Sequence, residues 1–249
     1  MPRARGYDPL HTSPDQDALL ARLDAHVQSQ QGAVGVFDLD GCLFDTRPRQ
    51  IQILNELASQ RGWPELCRLR EEHFTDWSLR HTMSAAGLNP ARIEALYPTV
   101  KETFYRNFFL GDYLVHDRAM PGAAALVWAC YRAGLQIVYL TGRHDEMRAG
   151  TEAALRRWGF PYGRPKTSLL VKPDRTQEDL VFKGEALREI GLLGKPCLFL
   201  DNEPANINLF YEQHPDALCI WVETDHSPRP FEAHSDLPTL RGFLRQHEI

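Results

Sequence analysis

Apolar residues in this chain fall into two kinds of run that alternate along its length. The first kind is short and continuous: Ala33-Val34-Gly35-Val36-Phe37, Leu135 to Leu140, Ser168 to Val171, Cys197 to Leu200 and Leu218 to Val222. Each is of strand length and shows no polar alternation, as a strand covered on both faces of a parallel sheet does. The second kind has helical spacing: Leu126, Val127 and Cys130; Thr151, Ala154, Leu155 and Trp158; Leu187 and Ile190. Ser13-Pro14-Asp15-Gln16 has a capping serine, a proline at the first helical position and Gln three after the cap, so it predicts a helix from there to about Gln30. Leu237, Leu240, Phe243 and Leu244 predict a closing helix. Strands alternating with helices make the fold class α/β with a parallel sheet.

Residues 46–118 break this rhythm. They hold helix-like spacing, as in Ile51, Leu54, Leu57 and Ala58, but no further apolar strand run. They read as a helical insertion in a core made of residues 1–45 and 119–249. The insertion carries ten Lys and Arg against nine Asp and Glu, while the rest of the chain holds the acidic excess. That asymmetry suits a lid over an anionic ligand.

The whole chain, 249 residues with a net charge of -5, has no bulk positive field to hold nucleic acid or acidic lipid, which sets nucleic acid low among its partners. Its 43% hydrophobic content is ordinary for a globular protein with a substantial core. Five cysteines, odd in number and without a CxxC, argue against a disulfide framework and against a thiolate zinc site. The opening Met-Pro-Arg-Ala-Arg-Gly leads into polar residues rather than an apolar signal core, and no apolar run has spanning length, so a cytoplasmic protein without a membrane partner is expected. Nothing in the chain indicates its oligomeric state.

Four short motifs stand at the carboxyl ends of the predicted strands or beside them, where open α/β sheets bind ligands. They are Phe37-Asp38-Leu39-Asp40-Gly41, Tyr139-Leu140-Thr141-Gly142-Arg143, Lys183 near a helix start, and Phe199-Leu200-Asp201-Asn202. An acid-x-acid pair alone says little in a chain with 33 acidic residues, but the order of the four is specific. In that order, over about residues 33 to 222, the chain resembles the haloacid dehalogenase superfamily of aspartate-nucleophile phosphatases. Met120-Pro121-Gly122-Ala123, leading through a helix to Thr141, is similar to the entry into that family's second motif.

The resemblance implies a Rossmann-like core with a helical cap inserted between the first and second motifs. It implies Mg2+, ligated by the Asp38 carboxylate, the Asp40 main-chain carbonyl and the Asp201 carboxylate. Physically, carboxylates converging on one point repel unless a cation lies among them, and hard oxygen donors select Mg2+. By the same resemblance Asp38 would be the nucleophile on a phosphate monoester, and Asp40 would protonate the leaving group and later deprotonate water. The resemblance also implies that Thr141, Gly142 and Lys183 bind the phosphoryl oxygens, with glycine allowing close backbone approach.

Several positions depart from the family pattern or carry two readings. Cys42 stands where the family commonly has Thr and reads as structural. Asn202 stands where a second acid is common, so Asn202 or Glu203 would act from the metal's outer shell. Lys183 has an ordinary alternative as the helical partner of Asp179. Arg143 either reaches substrate or pairs with Asp145. Arg47 and Arg49, just after the first motif, are possible substrate contacts against a default of a solvated face. His73, Trp77, Arg80, His81, Lys101, Tyr105 and Arg106 would clamp a leaving group or simply fill the lid. Leu169 to Pro173 with Asp179 and Lys183 resembles the phosphatase module of polynucleotide kinases, which adds nucleotides and 3'- or 5'-phosphorylated nucleic-acid ends to the candidate substrates. A phosphotransferase or mutase, and a non-catalytic phosphate-binding protein, are the competing functions.

Overall fold

The computed structural model describes residues 8, 10–227 and 229–248. The basic opening stretch Met1 to Gly6 lies outside the described residues. The first helix, α1 (Pro14–Gln28), begins as its residues dictate: the Ser13 hydroxyl accepts from the Gln16 N–H at 3.2 Å, and Leu20, Leu23 and Val27 are buried. Strand β1 (Val34–Phe37) follows, every residue buried, and then the two-residue β2 (Phe44–Asp45).

The insertion comprises α2 (Arg47–Arg61), α3 (Leu79–Ala85) and α4 (Pro90–Phe108), linked by short 3-10 turns. Ile53, Leu57, Leu66, Phe74, Val100 and Phe104 give it an apolar cluster of its own. Beyond it β3 (Arg118–Ala119) pairs antiparallel with β2, so entry and exit of the insertion are tied into one ribbon. The chain continues through α5 (Ala123–Arg132), β4 (Gln136–His144), α6 (Arg148–Arg157), β5 (Thr167–Lys172), α7 (Asp179–Leu193), β6 (Pro196–Asp201), α8 (Pro204–Gln213), β7 (Leu218–Val222) and β8 (Thr239–Leu240).

The sheet has six parallel strands in the order β5-β4-β1-β6-β7-β8. Alternate residues serve opposite faces. Phe37, Tyr139 and Leu200 pack in the layer with α1 and α5, while Val36, Val138 and Phe199 face α7 and α8. This two-sided burial explains why the strands read as unbroken apolar runs. Among the described residues no helix is long and apolar enough to cross a membrane.

Three elements differ from the sequence expectation. The closing helix is absent. Leu237, Leu240 and Phe243 are buried, but through β8, which extends the sheet beyond β7. Pro238 would be tolerated in the first turn of such a helix, so pairing with β7 and not the proline decides the outcome. The Pro238 carbonyl accepts from the Trp221 N–H at 3.0 Å, and Leu240 accepts from Glu223 at 2.7 Å. Helix α8 was not marked by the pattern; Pro204 opens it, and Ile207 and Phe210 anchor it, with the Phe210 ring stacked on Phe199 at 4.6 Å. Finally, β4 runs on to His144, so Thr141, Gly142 and Arg143 lie within the strand, at an irregularity in its pairing with β5.

Gly122 links the insertion's exit to the C-terminal segment. Its φ is +81°, and a Cβ there would lie 2.7 Å from the Phe243 carbonyl oxygen. Gly122→Ala is expected to destabilise the fold by about 1–3 kcal/mol, read as a lower urea midpoint with an unchanged slope.

Candidate active site

Parallel pairing brings the first and fourth motifs together. Phe37 is in register with Leu200, and the Asp38 N–H extends the ladder by donating to the Leu200 carbonyl at 2.9 Å. Asp38, just past β1, and Asp201, the last residue of β6, therefore stand side by side at the carboxyl edge. Lys183 reaches them from the second turn of α7. Its Nζ lies 2.6 Å from Asp38 Oδ1 and 2.7 Å from Asp201 Oδ2, with the side chain only 2% exposed. Its alternative partner Asp179 is taken by Lys172 at 2.7 Å. The other Asp201 oxygen accepts from the Glu203 N–H at 2.9 Å and from Asn206 Nδ2 at 3.4 Å. Asn206, on α8, was not foreseen as a site residue.

Burial is the largest influence on Asp38 and Lys183. It pushes the Asp38 carboxyl well above its ordinary value; Lys183 pulls it back and Asp201 adds to the rise. Burial would lower Lys183, but the two carboxylates outweigh it and raise the ammonium, which stays charged. Counted as formal charges, one cation faces two buried carboxylates, a balance of minus one.

Asp40 takes a different direction. Its side chain does not join the Asp38 and Asp201 carboxylates but turns to Arg143, at 2.5 Å, and to Arg49, at 3.1 Å. Asp117 closes the network at 2.7 Å from Arg143 and 3.0 Å from Arg49, the latter contact not aligned along the Nε–H. Burial alone would raise the Asp40 carboxyl, but Arg143 and then Arg49 hold it well below the usual carboxylate range. Burial pushes Asp117 up to about 6 despite the same two arginines.

These contacts settle several two-way readings. Arg143 does not pair with Asp145, which binds Arg148 at 2.8 Å. Arg49 is no solvated-face residue: it is fully buried, its guanidinium 4.0 Å from the Phe108 ring centre. Arg47 is also buried and chelates Asp45 through Nε and Nη2, both at 2.8 Å. It lines a separate small crevice with Thr224 and Asp225, away from Asp38.

Asp38, Asp40, Thr141, Gly142, Arg143 and Lys183 line one cavity of about 340 Å³. Thr141 is buried, its hydroxyl accepting from the Arg143 N–H at 3.3 Å. Gly142 permits a close approach, since a Cβ would lie 2.8 Å from Asp179 Oδ2. Trp77, Tyr105, Phe108 and Phe109 of the insertion form the opposite wall, with Arg229 at the rim. Phe108, Phe109 and Arg229 were not singled out from the sequence; the paired aromatics ending a helix of the insertion were the one available signal. Of the other lid candidates, Arg80 binds Glu94 at 2.7 Å, His81 binds Asp76 at 2.6 Å, and His73 accepts from the Arg70 N–H at 3.0 Å. Lys101 and Arg106 are exposed on α4.

Glu203 lines the cavity but is engaged by the Ser227 N–H at 2.7 Å and hydroxyl at 2.6 Å. Asn202 donates to the Asp225 carbonyl at 2.7 Å, and its Oδ1 is buried without a hydrogen-bond partner. Cys42 is buried and its thiol is pushed far up by burial, which suits a structural residue.

Among the described residues no group of three or more His, Cys, Asp and Glu could hold a metal ion by itself. The available donors are oxygens: the Asp38 and Asp201 carboxylates and main-chain carbonyls of the turn after β1. An all-oxygen set with a net negative charge and an unsatisfied buried amide oxygen nearby fits a hard divalent cation and not a thiolate or imidazole metal.

No protein-family model matches the chain. Phosphoglycolate phosphatase of Synechococcus elongatus is 29% identical over 125 residues, which are 50% of this chain and 55% of that protein. The chain thus aligns with about half the length of this relative. A solved structure described as a "Putative Phosphatase from Clostridium difficile" superposes with a TM-score of 0.51 at 14% identity, covering 80% of this chain and 88% of that one. A haloacid dehalogenase-superfamily hydrolase from Ehrlichia chaffeensis has a TM-score of 0.49 at 12% identity, covering 86% and 92%. At these identities the structural likeness is one of fold.

Lys183→Met would leave two buried carboxylates unpaired. It is expected to destabilise the protein by about 3–5 kcal/mol in urea unfolding without divalent cation. For pH, Asp40 and Asp45 are both held below their ordinary values by arginines, after burial is overcome. Their stabilisation is complete above the unfolded carboxylate pKa of about 3.9 and disappears as pH falls through the lower folded values. Melting temperatures should therefore drop between about pH 4 and pH 2, more gently in Asp45→Asn.

Proposed function

We propose that this chain is a haloacid dehalogenase-like, Mg2+-dependent phosphatase that hydrolyses a phosphate monoester through an aspartyl phosphate on Asp38. The observation that carries the reading is the Lys183 bridge between Asp38 and Asp201 on the wall of a cavity closed by the insertion. The match to a phosphatase over half the chain supports the same reaction class.

Asp38 uses Oδ1 to accept from Lys183, which leaves Oδ2 to form the bond to phosphorus. Mg2+ held by the Asp38 and Asp201 carboxylates and the Asp40 main-chain carbonyl would supply the charge neutralisation that lets a carboxylate approach a phosphate dianion. Lys183 adds its own charge, and the Thr141 hydroxyl and Gly142 N–H donate to nonbridging oxygens. As the Asp38–phosphorus bond forms, the ester bond breaks and the departing oxygen takes a proton from Asp40. In the second step Asp40 removes a proton from water, whose oxygen bonds to phosphorus as the Asp38 carboxylate leaves.

The arginine network bears directly on these two steps. Asp40 is ionised while Arg143 and Arg49 grip it, the state needed to deprotonate water. To donate first, it must be partly released, and a bound dianion beside Arg143 competes for the guanidinium. Thr141 and Lys183 need no such rearrangement.

With Mg2+ and p-nitrophenyl phosphate, the wild-type protein is expected to release phosphate, and chelation with EDTA to abolish turnover until Mg2+ is restored. Asp38→Asn should lower kcat by at least about a thousandfold, and Asp40→Asn by about a hundredfold or more. Full activity in Asp38→Asn would refute the aspartyl-phosphate route.

A further inference from the structure

The cavity over Asp38 has a neighbour. Pro98, Lys101, Glu102, Tyr105 and Arg106 of α4, with Arg175 from the β5–α7 connection, enclose a more open cavity of about 530 Å³. Tyr105 belongs to both cavities, and it is 38% exposed between them. The Arg175 guanidinium lies 4.5 Å from the ring centre of Phe109, which lines the catalytic cavity. One aromatic wall therefore runs from the catalytic cavity to the second one.

The charge there is unusual for this chain. Lys101, Arg106 and Arg175 are all exposed, and among the described residues none forms an ion pair, although the protein carries an acidic excess. Glu102 is the only carboxylate in the cavity and stands four residues before Arg106, the spacing of a helical ion pair, yet the two make none. A cation in the last turn of a helix, such as Arg106, is common. That does not account for Arg175, which comes from the core and meets Lys101 and Arg106 across the junction of core and insertion. Three unpaired cations held at one mouth attract anions over a Debye length and gain further if a ligand removes water from between them. The catalytic cavity, at about 340 Å³, leaves room for a leaving group that extends toward this mouth.

We propose that Lys101, Arg106 and Arg175 bind a second anionic group on the leaving group, so that the substrate is a phosphate monoester carrying another phosphate or carboxylate at its far end, laid along Tyr105 and Phe109. This rests on the phosphatase reading above and gives it a substrate class.

The test compares phenyl phosphate with 4-carboxyphenyl phosphate, which share a scissile bond and differ in the second anion. The wild-type protein and a Lys101→Gln/Arg106→Gln/Arg175→Gln variant are assayed with Mg2+ for kcat/KM, and the Asp38→Asn protein, with and without the same three changes, is titrated calorimetrically with both compounds. The wild type should prefer the carboxylate-bearing substrate by about tenfold at low ionic strength, mainly through KM, and the preference should shrink with salt and fall to about one in the variant. The same tenfold ratio is expected in Kd and should vanish with the three substitutions. A wild-type preference near one, or a preference that survives the substitutions, overturns the subsite. Absence of turnover with both compounds would instead overturn the phosphatase reading, and the Kd ratio then decides the anion site on its own.

Discussion

The constraint on which the site depends is that Asp38 and Asp201 are buried side by side with one ammonium between them. Parallel strand register forces the two carboxylates together, since Asp38 extends the ladder onto β6 and Asp201 ends that strand. Burial and the neighbouring Asp201 both push the Asp38 carboxyl upward. Lys183 relieves part of this from α7, and in doing so fixes the rotation of that helix against the sheet. The remaining negative charge is the feature that a hard cation would complete.

A second buried network sits a few residues away and has the opposite character. Around Asp40 two arginines meet two carboxylates, Asp40 and Asp117, and formal charge balances. Arg49 belongs to the first turn of the insertion and stacks on Phe108 at the end of its longest helix, while Arg143 belongs to the core sheet. Asp40 is therefore held jointly by the core and the insertion.

The two networks give residues of a single short segment different surroundings. Asp38 and Asp40 are two residues apart, yet one lies with a lysine and a carboxylate and the other between guanidiniums. Gly41 makes this possible: its φ of +77° turns the chain immediately after Asp40, and a Cβ there would collide with Asn202. The turn also brings the Gly41 N–H to Phe44, leading directly into the ribbon that carries the insertion.

The amino-acid sequence by itself determined the α/β class, five strands of the sheet, the interruption by a helical segment, and the four motifs in order. These are local properties: apolar run length, capping residues and residue type are readable wherever they stand. It misled at the C-terminus, where Leu237, Leu240 and Phe243 have helical spacing but Pro238 supplies a sheet acceptor instead, and it was silent on α8. The tertiary structure alone decided partners. Lys183 preferred two distant carboxylates to Asp179, Arg143 preferred Asp40 and Asp117 to Asp145, and Arg49 was drawn inside. A charge reads the same in a sequence whether solvated or buried, and only the folded chain sets the desolvation penalty that makes each buried charge find its counterion.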